Sequence, residues 1–479
     1  MESIFHSRKV WVWFAAAAVV IAIMLLSLNA WREATGEDGL EGKAREPEGA
    51  SPLLEVVNAP VRGPVSIPRA PKGGFTPQTQ MGFTAGDQWE PAIAADGAGH
   101  VYVLYPQYNG VPGCQVCASP TMVFLMSNDH GSTWSSPRIM YPAGQTTGQW
   151  DAQIVVDPAG SGAVYAAWLQ NNKSDIVVAK STDFGSSWSV VTADSINAGT
   201  DKPILAVRGQ DVYVSFNHTQ SAFVTASHDG GGTFTQVKIN QNAKLGWSLG
   251  GGGTVTPGGA VYFSWAGYTQ NGGAKGPVNL YVSKSSDGGA SWSTSLIDVS
   301  TSPPDCSSMS CGWAFLGAAM TMTSDSAGNL YTLWNAGSKA AGPERIYFSK
   351  SSDGGATWSA KQDVSAAAKG VEHAFPAIAA GGDGDVRIGW MDTRNASAGA
   401  LDRWNVYYRS STDGGAHWSA ESTLSSYVGG FTYIFNNGYR FPYGDYFEMD
   451  VDERGTTHAV WGEGFDYTSP GSIWYSQGK

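Results

Sequence analysis

Hydrophobic and small or polar residues alternate in short runs along most of the chain after residue 75. One run has the form Gly-x-Val-Tyr-x-x-Trp, and a run of small residues, such as 92–95 or 377–380, precedes most copies. Alternation with a period of two predicts β-strands. Small residues suit an inner strand that lies in a crowded place. The seven copies occupy residues 99–105, 162–168, 210–216, 259–265, 328–334, 384–390 and 455–461.

A second repeated unit has the form Ser-x-Asp-x-Gly-x-x-Trp and follows a further short strand in most repeats. An Asp next to Gly favours a hairpin turn, because the carboxylate accepts backbone N–H bonds and Gly adopts positive φ. The terminal aromatic residue is expected to anchor the turn by packing on the sheet. The six copies occupy residues 127–134, 181–188, 227–234, 285–292, 351–358 and 411–418.

The second unit is the Asp-box, and residues 75–479 resemble the Asp-box (BNR repeat) sialidase-like β-propeller superfamily. The stretches 390–394 and 444–446 look like those of an uncharacterised secreted or anchored subgroup. The resemblance implies an all-β propeller of four-stranded antiparallel blades, with the Asp-boxes as turns and not as active sites. Seven strand repeats favour seven blades over six. The last repeat ends after its third strand, so residues 76–85 are predicted to supply its outer strand and close the ring.

The N-terminal region has a different pattern. Residues 10–31 are apolar and uncharged, long enough for a transmembrane signal-anchor helix across ~30 Å of hydrocarbon. Arg8 and Lys9 precede it, which puts residues 1–9 in the cytoplasm and the propeller in the extracellular or periplasmic space. A cleaved signal peptide is the alternative. Residues 32–74 contain six prolines and no aromatic residue, which predicts a disordered tether.

The net charge of the chain limits the classes of partner that it can bind. The 41 acidic and 29 basic residues give a net charge of −12, which argues against nucleic acid as a partner.

The cysteines form two close pairs, Cys114 with Cys117 and Cys306 with Cys311. Two disulfides are expected outside the membrane. A four-cysteine zinc site is the alternative, but the two loops belong to separate blades.

The loops that enter the inner strands and leave the Tyr/Trp strands are expected to meet on the face opposite the Asp-boxes, where propellers bind ligands. Carboxylates and aromatic residues there suggest a sugar site or a hard cation such as Ca²⁺. Local ion pairs, Asp392 with Arg394 or Asp201 with Lys202, are an equally valid interpretation. The ligand-binding candidates are Trp89, Glu90, Trp150, Asp151, Asp201, His373 and Arg440. The catalytic candidates are Glu372, Asp392, Arg394, Asp445 and Tyr446.

Sialidases of the superfamily that the chain resembles bind the substrate carboxylate with three arginines. Trp89 occupies the place of the first arginine, and Arg394, Arg403 and Arg440 all belong to the last two blades. Because bidentate arginine is the usual carboxylate ligand, this departure weakens the catalytic resemblance. We therefore expect a membrane-anchored module that binds a glycan or a surface protein. An exo-acting glycoside hydrolase of sialidase type is the alternative.

Overall fold

The computed structural model describes residues 73–479 apart from 84, 89, 141–146, 198, 241–245, 271–274, 305–315, 397–403, 426–446 and 464–470, and the backbone of Glu48–Ser51 and Leu54–Glu55. The chain divides into a unit of residues 1–42 and a unit of residues 43–479. The first unit, which contains the whole of the predicted transmembrane helix at 10–31 and its flanking charges, lies outside the described residues. No helix among the described residues has the length and hydropathy needed to cross a membrane.

The described part of the second unit is built from β-strands. The central strands, such as β6 (Val101–Tyr108), β10 (Val164–Gln170) and β18 (Val261–Tyr268), are buried at every position because neighbouring sheets cover both of their faces. Short turns rich in Gly and Asp join the strands. In chain order the strands are β1 (Glu48–Ser51), β2 (Leu54–Glu55), β3 (Thr79–Met81), β4 (Asp87–Gln88), β5 (Ala92–Ala95), β6 (Val101–Tyr108), β7 (Thr121–Ser127), β8 (Arg138–Ile139), β9 (Trp150–Val156), β10 (Val164–Gln170), β11 (Asp175–Ser181), β12 (Trp188–Ser195), β13 (Thr200–Arg208), β14 (Asp211–His218), β15 (Ser221–Ser227), β16 (Thr235–Lys238), β17 (Trp247–Val255), β18 (Val261–Tyr268), β19 (Val278–Ser285), β20 (Ser293–Ser300), β21 (Met320–Ser324), β22 (Leu330–Ala336), β23 (Arg345–Ser351), β24 (Gln362–Asp363), β25 (His373–Ala380), β26 (Val386–Asp392), β27 (Asn405–Ser411), β28 (Ser422–Thr423), β29 (Phe447–Val451), β30 (Thr457–Glu463) and β31 (Ser472–Gly478).

Seven antiparallel sheets arise from these strands, and in six of them the strands of the repeat follow the chain from an inner to an outer strand. The inner strands of neighbouring sheets lie against one another around a common channel. This arrangement is a seven-bladed β-propeller. The seven blades expected from the Gly-x-Val-Tyr-x-x-Trp repeat are confirmed, and the six-bladed alternative is wrong. Blade 1 contains β4 to β8, and blades 2 to 6 contain β9–β12, β13–β16, β17–β20, β21–β24 and β25–β28.

Blade 7 combines the two ends of the propeller. It contains β29, β30 and β31 from the end of the chain and β3 from the beginning, with Thr79 opposite Tyr475 and Met81 opposite Ile473. Without β3, the edge of β31 would present unpaired backbone groups. Ring closure by a segment within 76–85 is therefore confirmed.

Two short strands add to the rim. The strand β1 pairs with β12 on the outside of blade 2, and β2 pairs with β8 on the outside of blade 1. Both lie in the segment 32–74, for which the sequence predicts a tether. The outer strands of a propeller leave an open edge with which an extended segment can pair. The other residues of 32–72 lie outside the described part of the chain.

The hydrophobic core is divided into seven clusters, one in each wedge between neighbouring blades. Each repeated Tyr/Trp strand sends its apolar side chains to both sides, because successive residues of a strand face opposite ways. Its terminal aromatic residue is fully buried, as Trp168, Trp334 and Trp461 illustrate. Close packing of the inner strands explains the glycines of β17, since a Cβ on Gly251 would lie 1.9 Å from the carbonyl oxygen of Met320.

The six repeated turns share one hydrogen-bond pattern. In the turn 351–358, the Ser351 hydroxyl donates to Asp353, whose carboxylate also accepts the backbone N–H and the hydroxyl of Thr357. These bonds hold the pKa of Asp353 down at about 2. The carboxylates of the other five turns accept equivalent bonds from their own turns. Each turn therefore stabilises its own backbone, as the sequence predicts.

Candidate functional site

The seven inner strands enclose an axial channel with a volume of about 940 Å³. Its mouth is the end at which the inner strands begin, on the face opposite the repeated turns. Five charged side chains from blades 1 to 3 line the channel at this end, and we call them the mouth cluster. They are Glu90, Asp151, Lys173, Asp201 and Lys202.

The backbone at the mouth has an unusual conformation that recurs from blade to blade. Glu90, Asp151, Lys202 and Phe375 have φ of 47°, 57°, 51° and 54° at the start of the inner strands of blades 1, 2, 3 and 6. The strand register shifts beside the last three of these residues. A residue other than Gly in this conformation costs about 1–3 kcal/mol. All four residues line the channel, so the recurrent bulge places their side chains at one opening.

Lys173 links two carboxylates of the mouth cluster. Its ammonium nitrogen lies 3.2 Å from Asp201 Oδ1 and 3.6 Å from Asp151 Oδ2. Burial by itself would raise the pKa of Asp201, but Lys173 and Lys202 outweigh that effect and lower it. The loop that carries Lys173 has three successive residues, Asn171 to Lys173, with φ between 51° and 62°. Lys173 is therefore a partner of Asp201 in addition to the predicted Lys202, whose charge also lowers the pKa of Asp201.

Deeper in the channel, blade 7 contributes two acidic side chains. Glu448 accepts hydrogen bonds from the Gln153 amide at 2.6 Å and from the Ile93 backbone N–H at 3.3 Å. Asp450 accepts the backbone N–H of Ala95 at 2.8 Å. Burial raises the pKa of Glu448 to about 8 and that of Asp450 to about 6. These acids bind the free inner edge of blade 1, whose N–H groups point towards the axis.

A second group of acids lies inside the protein between blades 5 and 6. Glu344 and Glu372 are almost fully buried, and Glu372 accepts the backbone N–H of Glu344 at 2.9 Å. Burial raises the pKa of Glu344 to about 8, and burial with the nearby Glu344 raises the pKa of Glu372 as well. Burial therefore favours the protonated form of both carboxyl groups.

Three more of the predicted site residues, Asp392, Arg394 and His373, belong to blade 6 and form local contacts. Asp392 is fully buried and pairs with Arg394 at 2.5 Å, and the Arg394 guanidinium also contacts Glu421 and covers the Tyr407 ring. His373 is fully buried and has no access to the channel mouth. Its Nδ1 lies 2.9 Å from two backbone carbonyls and its Nε2 accepts the Ser365 hydroxyl at 2.7 Å. The ion-pair interpretation of Asp392 and Arg394 is confirmed.

The structure places the remaining predicted residues as follows. Trp150 is half-buried and packs against two apolar clusters, so part of its ring remains at the mouth. Cys114 and Cys117 form a disulfide bond in the loop between β6 and β7. The predicted residues that lie outside the described part of the chain are Trp89, Cys306, Cys311, Arg403, Arg440, Asp445 and Tyr446.

Lys173 is a site residue that the sequence pattern did not reveal. It follows two asparagines in an ordinary polar loop, and no signal in the sequence sets it apart. Glu448, in contrast, is visible in the sequence as a carboxylate on an inner strand, where several other inner strands carry small residues.

The positions of the arginines test the alternative that the chain is a glycoside hydrolase of sialidase type. Among the described arginines, the one that lines the channel is Arg208, at the end of β13 that is distant from the mouth. Arg394 is engaged by Asp392 and Glu421. The described residues therefore do not assemble a three-arginine clamp at the mouth.

Comparisons with known proteins find similar folds. No protein-family model matches the chain, and no curated protein matches it. The solved NanB sialidase from Streptococcus pneumoniae is 15% identical with a TM-score of 0.45, over 84% of this chain and 70% of that one. An ulvan lyase, a polysaccharide lyase, is 14% identical with a TM-score of 0.46, over 82% and 95%. The intramolecular trans-sialidase from Ruminococcus gnavus is 14% identical with a TM-score of 0.40, over 84% and 97%. These values are too low to indicate an activity.

Proposed function

We propose that the chain is a membrane-anchored propeller whose channel mouth binds a glycan outside the cytoplasm. The observation that supports this proposal best is the recurrent positive-φ bulge, which brings charged side chains of three blades and Phe375 to one opening. Strained backbone of this kind is retained where the geometry of a site requires it. The membrane anchor at 10–31 and the orientation remain predictions from the sequence.

The chemistry of the mouth suits a polyhydroxylated ligand. Carboxylates of Asp151 and Asp201 can accept hydrogen bonds from sugar hydroxyls, and the ammonium groups of Lys173 and Lys202 can donate to ring and hydroxyl oxygens. The half-buried ring of Trp150, at the start of β9, can pack against the apolar face of a sugar ring. A few polar groups in an otherwise apolar concave site are typical of ligand pockets.

Binding is tested with the purified full-length protein in detergent. A glycan array identifies a ligand, and calorimetry measures its affinity for the wild type and for Asp201→Asn and Lys202→Met. We expect each substitution to weaken binding about tenfold or more, since each removes a hydrogen bond worth roughly 1.5 kcal/mol to a charged group. Asp229→Asn, on the opposite face, is the matched control and should bind like the wild type. Equal affinity of all four proteins would contradict the proposal.

Turnover distinguishes binding from the glycoside hydrolase alternative. The same proteins are incubated with fluorogenic glycosides, and a binding module should release no fluorophore. Hydrolysis that disappears in Asp151→Asn or Asp201→Asn would make the chain an enzyme with carboxylates in the mouth as its catalytic pair.

The predicted orientation has a separate test. An impermeant amine reagent applied to intact cells should label lysines of the propeller, such as the exposed Lys339, but not the cytoplasmic Lys9. Labelling confined to disrupted cells would contradict the proposed localisation.

A further inference from the structure

We propose that the chain binds a structural Zn²⁺ ion where blade 7 meets blade 1, with His130, Asp452, Glu453 and His458 as ligands. The site lies on the face of the repeated turns and is separate from the channel mouth. His130 belongs to the turn between β7 and β8, whereas the other three residues belong to blade 7. The inference does not depend on the proposed glycan binding.

Two departures from the repeat patterns converge at this point. His130 occupies the fourth position of its turn, where four of the six turns have Gly because the backbone is left-handed. His130 has φ of 57° there, a conformation that a side chain makes unfavourable. His458 occupies the fourth position of the strand repeat, where five of the seven copies have Tyr. The two histidines are 328 positions apart in sequence, yet both face Asp452.

Three of the distances between these side chains match edges of a coordination tetrahedron. His130 Nδ1 lies 3.3 Å from Asp452 Oδ2 and 3.6 Å from Glu453 Oε1, and His458 Nε2 lies 3.4 Å from Asp452 Oδ2. Zn²⁺ binds His nitrogen and carboxylate oxygen at about 2.0–2.2 Å, which places neighbouring tetrahedral ligand atoms about 3.3–3.6 Å apart. One ligand atom each from His130, Asp452 and Glu453 lies within 4.8 Å of the others, and His458, which is outside that group and contacts it through Asp452, has to move closer to complete the tetrahedron.

The hydrogen bonding of this group is weak, since His130 Nδ1 and Asp452 Oδ2 form a hydrogen bond of 3.3 Å. His458 Nε2 is completely buried and has no hydrogen-bond partner, although it faces the Asp452 carboxylate. Three other His–Asp pairs of this protein close to 2.6–2.7 Å. In blades 1 and 5 the residue at the position of His458 is Tyr102 or Tyr331, whose hydroxyl donates to the equivalent Asp at 3.0 and 2.7 Å.

The surroundings hold the ligands in place. Asp452 Oδ1 accepts the backbone N–H groups of Arg454 and Thr456, which leaves Oδ2 for the ion. His458 Nδ1 lies 2.8 Å from the Tyr475 hydroxyl, a second contact that orients the ring. Two neutral histidines and two carboxylates balance the charge of Zn²⁺. Glu453 is 37% exposed and provides a route for the ion from solvent. Four protein ligands without an open position are typical of structural zinc.

The experiment uses the full-length protein with an affinity tag that contains no histidine. After treatment with EDTA, ZnCl₂ is added, and bound metal is measured by mass spectrometry and calorimetry. We expect one zinc ion per chain and a melting temperature that rises with zinc, because the ion joins the first blade to the last. Co²⁺ in place of Zn²⁺ should give the intense visible absorption of a tetrahedral site.

His130→Gly and His458→Tyr are the decisive variants, because each restores the residue that other repeats carry and should therefore fold. We expect zinc affinity to fall at least about a hundredfold in both. His228→Gln, which removes an exposed His–Asp pair in another blade, should bind like the wild type. The proposal is overturned if the wild type binds no zinc at micromolar concentrations, or if either restoring variant keeps the wild-type affinity.

Discussion

Acidic residues on the repeated turns and acidic residues enclosed in the propeller have pKa values that are shifted in opposite directions. On the repeated turns, Asp287 and Asp353 are exposed and Asp129 is half-buried, and hydrogen bonds from their own turns bring the pKa of all three to about 2. Inside the propeller, Glu448 in the channel and Glu463 at the end of β30 are enclosed, and burial raises their pKa to about 8.

The difference arises from what surrounds each carboxylate. A turn provides N–H and hydroxyl donors within four residues, so its Asp is satisfied by sequence neighbours. An enclosed carboxylate lies against other strands and blades, so its protonation depends on residues that are distant in sequence. The turn face therefore carries repeated structural motifs, whereas the mouth carries groups whose properties can serve a ligand.

Glu463→Gln should have the largest effect on this comparison. Since the folded pKa of Glu463 is raised to about 8, its contribution to stability is full below the unfolded pKa of about 4.3 and is lost as pH rises towards 8. Glutamine does not titrate and can keep the bond from the Trp461 indole. We expect the variant to be more stable than the wild type by about 3 kcal/mol at pH 8 and little different at pH 4, measured by urea denaturation. A difference that does not change with pH would contradict the raised pKa.

Lys173→Met tests whether the mouth cluster depends on its bridging cation. Removing Lys173 leaves Asp151 and Asp201 close together, and we expect a loss of about 2 kcal/mol at pH 7, reduced from the value of a fully buried pair because Lys173 is partly exposed. The folded pKa of Asp201 is lowered, so the loss should shrink as pH falls below 4. Lys361→Met, which removes a more exposed pair with Asp298, is the control. Equal losses in the two variants would show that the cluster is no more than a surface ion pair.

Asp229→Asn examines a single repeated turn. Its carboxylate accepts bonds from the Ser227 hydroxyl and from the backbone and hydroxyl of Thr233. Burial by itself would raise the pKa of Asp229, but these bonds outweigh that effect and lower it. We expect a loss of about 1 kcal/mol at pH 7, since the site is exposed and the amide keeps one acceptor. The loss should fade in acid as the wild-type carboxyl is protonated. A loss that does not shrink as pH falls below the unfolded pKa of about 3.9 would contradict the charge-based account.

Phe184→Gly should have the smallest effect. Phe184 has φ of 57° where four of the equivalent turns have Gly, so glycine relieves strain of about 1 kcal/mol. The substitution also removes the stacking of Phe184 on His100 at 4.5 Å, which is worth about 0.5–1 kcal/mol. We expect a net change within about 0.5 kcal/mol, read as a small shift in melting temperature. A loss above 1 kcal/mol would show that the ring contact outweighs the strain.

The repeating parts of this protein can be predicted from its amino-acid sequence. Seven strand repeats, the turns at Asp129 or Asp353, ring closure by residues near 80 and the disulfide of Cys114 with Cys117 all follow from patterns within a few residues or from counting copies. Such features are local, because strand alternation and turn hydrogen bonds involve neighbours in the chain.

Contacts between side chains that are distant in sequence became visible in the tertiary structure. It brought Lys173 between Asp151 and Asp201, enclosed His373, placed the segment 48–51 on the rim and set His130 beside His458. Burial and proximity between distant residues depend on how the blades pack around the axis, and no local pattern in the sequence encodes the distance between two blades.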